Sequence, residues 1–285
     1  MASTPFWGLQ PMPAIAIPWD PDLFQIGTFR FTWHSLFSVL GILAGMWISR
    51  RLGRRTTISD DQVITLALWA VGGGIVAARF LFVIDNLDLF SSDWARVFAV
   101  NDGGITVWGA PLGGGLALAL AAWWMKLDVR SGLDIGAPGL ILGMGIGRIG
   151  DLINGEHHAL ATDLPWAVYY THPNAIGQTT PVHPATTYEM LGDFAIFGIA
   201  MWLASRYIGR LYIFWTVLAG YGGMRLGLQF LRIDQQELFW GLQQSQIIGV
   251  LVLLAFAVWA VNKLRIRMTT PAQTPQRVAP KRTGR

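Results

Sequence analysis

Residues 133–156 read LDIGAPGLILGMGIGRIGDLINGE, an apolar run that ends in a charged cluster. Its length and composition are those of a helix that crosses a lipid bilayer. Arg148, near the end of the run, keeps its positive charge in a protein, and a charge at membrane depth usually has a function. The pattern therefore predicts a membrane helix that carries part of a functional site.

The composition indicates the same class of protein. Hydrophobic residues make up 53% of the 285 residues and charged residues only 13%, and the mean hydropathy is +0.43. These values exclude an ordinary soluble domain and favour an integral membrane protein. The sequence contains no cysteine, which excludes a disulfide, a thiolate metal site and a cysteine nucleophile from this chain.

We predict an all-α integral membrane protein with seven transmembrane helices in one domain, residues 1–267. A spanning helix needs ~20 mostly apolar residues. Seven stretches qualify: 33–49, 61–84, 104–125, 133–153, 184–204, 209–230 and 241–261. Outer segments, above all residues 156–182, are expected to form arms or a cap. Residues 268–285 are Pro-rich, polar and basic, which is typical of a disordered cytoplasmic tail.

The basic residues predict the orientation in the membrane. Fifteen of the 21 Lys and Arg residues lie in the first, third and fifth loops or in the tail. Because cytoplasmic loops are enriched in positive charge, we predict a cytoplasmic C-terminus and an outer N-terminus. This topology accounts for the net charge of +4, so we expect no nucleic-acid partner.

Glycines in the fourth stretch suggest two roles. Gly139, Gly143 and Gly147 are spaced by four residues, which is typical of close helix packing in membranes. Gly147, Gly150 and Gly155 also flank Arg148. Glycines there allow backbone amides to approach an anion.

Two polar faces indicate a bound anion. Arg148 and Asp151 are three residues apart and share a helix face. The second face lies toward the outer end of the sixth predicted helix and consists of Arg225, Gln229 and Arg232. An ion pair that locks two helices together is the structural alternative. Glu156 and Asp234 offer further acids, yet a pocket for an anion is the simpler account of three arginines. A phospholipid is the obvious ligand at the outer leaflet.

Three segments resemble the prolipoprotein diacylglyceryl transferase family. Residues 147–156, GRIGDLINGE, resemble the family signature G-R-I-G-N-F-x-N-G-E. Residues 183–189, HPATTYE, resemble H-P-[ST]-Q-L-Y-E, and residues 225–232, RLGLQFLR, resemble R-x-x-x-E-F-x-R. The segments occur in the family's order, and the resemblance extends from residue 30 to about residue 260.

The resemblance implies a reaction at the outer face of the bacterial cytoplasmic (inner) membrane. The diacylglyceryl group of phosphatidylglycerol is transferred to the lipobox cysteine thiol of a prolipoprotein, which yields a thioether and glycerol phosphate. The implied partners are phosphatidylglycerol, the lipobox peptide and membrane lipids, and no metal or organic cofactor is expected. This activity agrees with an anionic lipid site in a chain that lacks cysteine.

The family motifs also imply roles for particular residues. Arg148 and Arg225 would hold the phosphate during the transfer. The residues expected to bind phosphatidylglycerol are Arg148, Asp151, Asn154, Gly155, Glu156, Arg225, Gln229 and Arg232. The residues expected to support the site are Arg79, His183, Tyr188 and Glu189.

One departure from the family concerns the proton acceptor. The family commonly has G-G-x-S-F-H-G-G in its third helix, whereas residues 103–110 read GGITVWGA. Trp108 therefore replaces a histidine that is a favoured general base, and an indole cannot take a proton. His34, where relatives often have Tyr, is our candidate base; His157, His158 or a mechanism without a base are the alternatives.

The second departure concerns charge within the motifs. Asp151 stands in place of the usual Asn, and Gln229 stands in place of the usual Glu. The two changes roughly conserve the local charge, which suggests a rearranged arginine network in the same pocket.

Other classes of site and protein fit the sequence less well. The histidines show no H-E-x-x-H or similar metal-ligand spacing. A transporter or channel for organic anions would also place arginines in a helical bundle, but no internal repeat is evident. A membrane transferase for phospho-alcohols or isoprenoids would normally have an Asp-rich metal motif, and none occurs.

Overall fold

The computed structural model describes residues 14–27, 29–91, 93–98, 104, 106–234 and 237–269, and these are mostly helical. The α-helices are α1 (Trp33–Gly53), α2 (Asp60–Asp85), α3 (Leu87–Phe90), α4 (Gly115–Trp124), α5 (Val129–Asn154), α6 (Ala185–Ala204), α7 (Tyr212–Leu228) and α8 (Gln244–Thr269). A π-helical segment, Gly109–Gly114, leads into α4, and 3-10 turns cover Trp94–Phe98 and Gln229–Leu231.

Each of the seven apolar stretches coincides with a helix. Fewer of these helices are long and apolar enough to span a membrane. By length and composition alone, three helices in the described ranges qualify: Trp33–Gly53, Asp60–Asp85 and Gln244–Ile266. The apolar helix Gly109–Trp124 is shorter. The short helix α3 was not predicted. Helix α8 continues to Thr269, two residues past the predicted start of the tail, and residues 270–285 lie outside the described residues.

Side-chain caps fix where α1, α2 and α5 begin. The Thr32 side chain accepts a hydrogen bond from the Ser35 amide and starts α1. Ser59 and Gln62 form a reciprocal capping box at α2, and Asp128 caps α5. Helix α5 ends at Gly155, whose φ of 80° lies in the left-handed region that favours glycine. The chain therefore turns sharply directly after the Arg148 segment.

Close glycine contacts join α1 to α5. Gly41 lies against the backbone of Gly143, and Gly45 lies against that of Gly139, so that a side-chain carbon at either α1 position would collide with a carbonyl group. The predicted close packing is confirmed for Gly139 and Gly143. Gly147, which flanks Arg148, does not take part in this packing, since a side-chain carbon there would meet no atom within 4 Å.

Within the described part of the chain, six short strands, which helix periodicity did not predict, form three small sheets. Strand β1 (Ile15–Ile17) pairs in parallel with β4 (Val168–Tyr170). Strands β2 (Asp22–Ile26) and β3 (Phe29–Thr32) form an antiparallel pair before α1, and β5 (Glu237–Phe239) and β6 (Leu242–Gln243) form another before α8.

The segment 155–184 folds back onto the end of α5. The Tyr170 hydroxyl donates to the Leu152 carbonyl at 2.8 Å, and the Ile176 amide donates to the Asn154 carbonyl at 3.2 Å. A small apolar cluster holds the segment together and contains Ile17, Ala159, Val168, Tyr170, Val182 and Ala185. We call residues 155–184 the cap.

We predict that Gly45→Ala lowers the stability of the protein by about 1–3 kcal/mol, because the added methyl group meets the Gly139 backbone. The measurement is thermal unfolding in detergent micelles. Gly198→Ala is the control, since a side-chain carbon at Gly198 has open space. Equal melting temperatures for the two variants would contradict the close α1–α5 packing.

Candidate active site

Arg148 lies in the last two turns of α5 and is buried. Its Nη1 donates to Asp151 Oδ2 at 2.6 Å, and its Nη2 donates to Glu189 Oε1 of α6, also at 2.6 Å. Its Nη1 is also 3.0 Å from His157 Nε2. Arg148 and Asp151, which the sequence places on one helix face, thus form an ion pair, the structural alternative named in the sequence analysis.

Glu189 joins Arg148 to Arg225, an arginine of α7 that is 0% exposed. Arg225 Nη1 donates to Glu189 Oε2 at 2.9 Å, and the Tyr221 hydroxyl donates to Glu189 Oε1 at 3.0 Å. Arg225 Nη2 reaches Ser245 Oγ in the first turn of α8 at 3.1 Å. Glu189, expected only to support the site, is therefore the carboxylate that links α5, α6 and α7.

Arg232 follows α7 and pairs with Asp234 through distances of 2.6 and 3.0 Å. Its Nη1 is 3.9 Å from Glu189 Oε2. His157 lies between Arg232 and Arg148, with Nδ1 2.7 Å from Arg232 Nη2 and 3.2 Å from Asp234 Oδ2. Burial lowers the pKa of His157, and the positive charges of Arg232 and Arg148 lower it further, against the raising effect of Asp234. Both ring nitrogens of His157 are therefore in contact with charged neighbours.

The pairing of these charges corrects the electrostatic argument made from sequence. The three arginines of this cluster, Arg148, Arg225 and Arg232, face three carboxylates, those of Asp151, Glu189 and Asp234. The number of acids near the arginines is underestimated from the sequence, because Glu189 is remote in sequence from the arginines that it contacts. An excess of positive charge is thus not what defines the site.

His34, in the first turn of α1, contacts Asp151 through Nδ1, and the same nitrogen is 3.5 Å from Glu156 Oε1. Asp151 therefore holds Arg148 with one oxygen and His34 with the other. The remaining ring nitrogen of His34, Nε2, is not used by these contacts. No sequence spacing predicts this pair, which is separated by 117 residues.

A cavity of about 430 Å³ begins beside this cluster. It extends between α1, α2, α4, α5 and α7, and its lining is mostly apolar or glycine. His34, Arg148 and Asp151 line the end formed by the start of α1 and the end of α5, and Tyr221 also contributes. The cavity is therefore amphipathic, with charged groups at one end and apolar walls along the rest.

Four further predicted residues surround the cluster. Asn154 Nδ2 donates to Glu156 Oε1 at 3.2 Å, and the Glu156 carbonyl accepts a hydrogen bond from Thr186 Oγ1 at 3.3 Å. Gly155 lies against Gly177 of the cap. Gln229 is buried and donates to Gln243, so it holds the end of α7 beside the start of α8.

The other supporting residues have structural contacts. Arg79 donates to the carbonyls of Arg96, Val97 and Gly104 at 2.7–2.8 Å, which ties α2 to the loop before α4. His183 Nδ1 lies 3.4 Å from the Tyr188 hydroxyl, which accepts a hydrogen bond from Trp166 at 2.7 Å. These last contacts connect the cap to α6.

Trp108, the residue at the position of the family histidine, is 0% exposed. Its ring packs edge-on against Tyr221, with the ring centres 5.2 Å apart. Its Nε1 has no hydrogen-bond partner among the described residues. Trp108 thus packs behind a residue that lines the cavity.

His34, Asp151 and Glu156 form the one group in the described residues with donor atoms close enough to hold a metal ion. Sequence spacing did not indicate this group. Asp151 already pairs with Arg148 at 2.6 Å, and a guanidinium beside a carboxylate opposes the binding of a second cation. The contacts favour a hydrogen-bonded network over a metal centre.

These features define a helical membrane protein in which a buried arginine–carboxylate cluster closes one end of an apolar cavity. Residues 21–262 match the family model described as prolipoprotein diacylglyceryl transferase. The chain belongs to that family.

Curated relatives cover most of the chain. Similar proteins from Thermosynechococcus vestitus, Gloeobacter violaceus and Corynebacterium glutamicum are 32%, 30% and 30% identical to it. The alignments cover 84%, 88% and 85% of this chain and 91%, 96% and 82% of the respective relatives. Each relative is named phosphatidylglycerol–prolipoprotein diacylglyceryl transferase.

We predict that Glu189→Gln destabilises the protein by about 3–5 kcal/mol, because it leaves two buried guanidinium groups without their shared carboxylate. Thermal unfolding in detergent measures the change. Glu237→Gln, at an exposed position, is the matched control and should have little effect. A Glu189→Gln variant as stable as the control would refute the linking role of Glu189.

Proposed function

We propose that this chain transfers the diacylglyceryl group of phosphatidylglycerol to the lipobox cysteine thiol of prolipoproteins, the first step of lipoprotein maturation. The membership of the family and the names of its relatives support this activity. The observation that carries the proposal is the amphipathic cavity that ends at Arg148. The alternative of an organic-anion transporter has no support from the relatives.

The distribution of polar and apolar residues along the cavity supports a phospholipid as the ligand. In the proposal, the acyl chains lie along the apolar walls and the phosphate lies at the charged end. Arg148 can bind the phosphate without losing its present partners. A guanidinium has five N–H donors, and the contacts with Asp151, His157 and Glu189 use three of them. Arg225, Asn154, Gly155, Glu156, Gln229 and Arg232 complete the proposed lipid site.

The proposed reaction breaks the bond between the glyceride carbon and the phosphate oxygen, and a carbon–sulfur bond forms in its place. Glycerol phosphate leaves with additional negative charge. Fixed positive charge around the phosphate stabilises that change, and it acts most strongly in a site that excludes water. We assign this stabilisation to Arg148 and Arg225.

The thiol proton needs an acceptor, since the thiolate is the nucleophile. His34 is the proposed base. Asp151 holds its Nδ1, so that the ring would accept the proton at Nε2, and the Asp151 carboxylate would stabilise the resulting imidazolium. The cavity position of His34 supports this role more strongly than that of His157, whose nitrogens face two arginines.

We further propose that seven helices span the bacterial inner membrane, with the N-terminus and the active site at the outer face. The starts of α1, α6 and α8 and the ends of α5 and α7 meet at the cluster, through His34, Glu189, Ser245, Arg148 and Arg225. The basic loops lie at the opposite ends of these helices. Cytoplasmic enrichment of Lys and Arg supports a position of the cluster at the outer face.

The prolipoprotein is proposed to approach the site beneath the cap, residues 155–184, which adjoins the end of α5. The site is proposed to need no metal or organic cofactor. Membrane lipids are the remaining partners, and no nucleic acid is involved.

The test of the function is a lipidation assay with a lipobox peptide and vesicles that contain phosphatidylglycerol. The thioether product is followed by mass spectrometry. We predict that Arg148→Ala lowers the rate by about 10²–10³-fold, since it removes a donor to the developing charge. Arg206→Ala, at an exposed position in the fifth loop, should remain active. Full activity of Arg148→Ala would defeat the assignment.

We predict that His34→Ala lowers kcat by about 10²–10⁴-fold, as expected for loss of a general base. Added imidazole should restore part of the activity, and the gain should grow with the fraction of neutral imidazole. His158→Ala, which removes an exposed histidine of the cap, is the control. Unchanged activity in His34→Ala would favour a mechanism without this base.

A further inference from the structure

Asp193 is a buried acid that the proposed reaction does not use. It lies in α6 and is 0% exposed. Neither of its carboxyl oxygens has a hydrogen-bond partner among the described residues. Buried acids are almost always paired, because an ionised carboxylate is costly to bury without donors.

Asp193 lies close to the arginine cluster. It follows Glu189 by four residues, so the two side chains share a face of α6 and are about 6 Å apart along the helix. A side-chain carbon at Gly145 of α5 would be 3.2 Å from Asp193 Cβ. Gly145 precedes Arg148 by three residues. Asp193 therefore lies one helical turn below the Arg148–Glu189 pair, farther from the cap.

Two physical effects act on the protonation of Asp193. Burial without hydrogen-bond donors disfavours the carboxylate. Glu189, on the same helix face, already carries the negative charge that pairs with Arg148 and Arg225, and a second negative charge close by is disfavoured as well. The charged and titratable groups that act on Asp193 are Glu189 of α6, Arg148 of α5, and Arg225 and Tyr221 of α7.

We propose that Asp193 is held as a neutral carboxylic acid, and that its ionisation sets the alkaline limit for binding of an anionic phospholipid. The lipid part of this inference rests on the proposed function. With Asp193 neutral, the three arginines balance Asp151, Glu189 and Asp234. Ionisation would add a negative charge beneath the phosphate and weaken its binding by roughly 10-fold. Asp193 is thus a positioning residue that acts through the charge of the cluster.

The protonation state has a direct test. Infrared spectra of the purified protein near neutral pH should contain the carbonyl stretch of a protonated carboxylic acid. The band should shift in D₂O and disappear in both Asp193→Asn and Asp193→Leu. Asp163→Asn, at an exposed position, should keep it. Wild-type protein without this band, or Asp193 variants that retain it, would overturn the proposal.

The effect on the lipid is tested by binding of short-chain phosphatidylglycerol as a function of pH. Wild-type affinity should fall roughly 10-fold at alkaline pH, whereas Asp193→Asn should match the wild type near neutrality and lose little affinity at alkaline pH. Diacylglycerol of the same chain length, which lacks the phosphate, should show no such fall. An alkaline fall that persists in Asp193→Asn, or that disappears in Tyr221→Phe instead, would overturn the role of Asp193.

The two measurements also separate this inference from the proposed function. The infrared band does not depend on transferase activity. A wild-type protein that shows the band but does not bind phosphatidylglycerol would refute both the lipid site and the alkaline limit, and it would leave the neutral carboxyl of Asp193 established.

Discussion

The site depends on the way in which Glu189 holds Arg148 and Arg225. These three charged groups come from α6, α5 and α7, and all are buried. Their burial is tolerable only because each guanidinium has a carboxylate and each carboxylate oxygen has a donor. The pairing fixes the ends of three helices together, and Ser245 brings α8 to the same place. A rigid surface of paired charges results at one end of the bundle.

The proposed chemistry follows from what lies next to that surface. Asp151 connects Arg148 to His34, so the proposed phosphate site and the proposed base share one carboxylate. The cavity gives a diacyl chain an apolar path to both groups. Trp108 replaces the histidine that is common in the family, and His34 lies beside Asp151. The second feature offers a proton acceptor where the first removes one. The proton acceptor is proposed to have moved to another helix while the arginine cluster stayed in place.

Much of the fold could be predicted from the sequence, because the signals are local. Apolar stretches located the helices, and i, i+3 spacing placed Arg148 and Asp151 on one helix face, where they pair. The strands and the short helix α3 were missed, because they contain too few residues for a periodic pattern. Within the described ranges, only three helices satisfy the length and composition of a span, since α5 and α6 contain buried charges and the α4 and α7 helices are short.

The candidate site was less predictable, because its contacts join distant segments. Nothing in the spacing of His34 and Asp151 shows that they meet. Glu189 was known from its motif, yet its position between two arginines is set by the packing of α6 against α5 and α7. This is why the arginines were wrongly thought to lack enough acids.

The central claim is that Arg148 holds the phosphate of a lipid whose chains occupy the cavity. The most direct measurement is an experimental structure of the protein in nanodiscs that contain phosphatidylglycerol. The account predicts a phosphate oxygen about 2.7–2.9 Å from an Arg148 nitrogen, with acyl density along the glycine-lined wall of α5. A headgroup bound elsewhere, with Arg148 contacting only Asp151, His157 and Glu189, would contradict it.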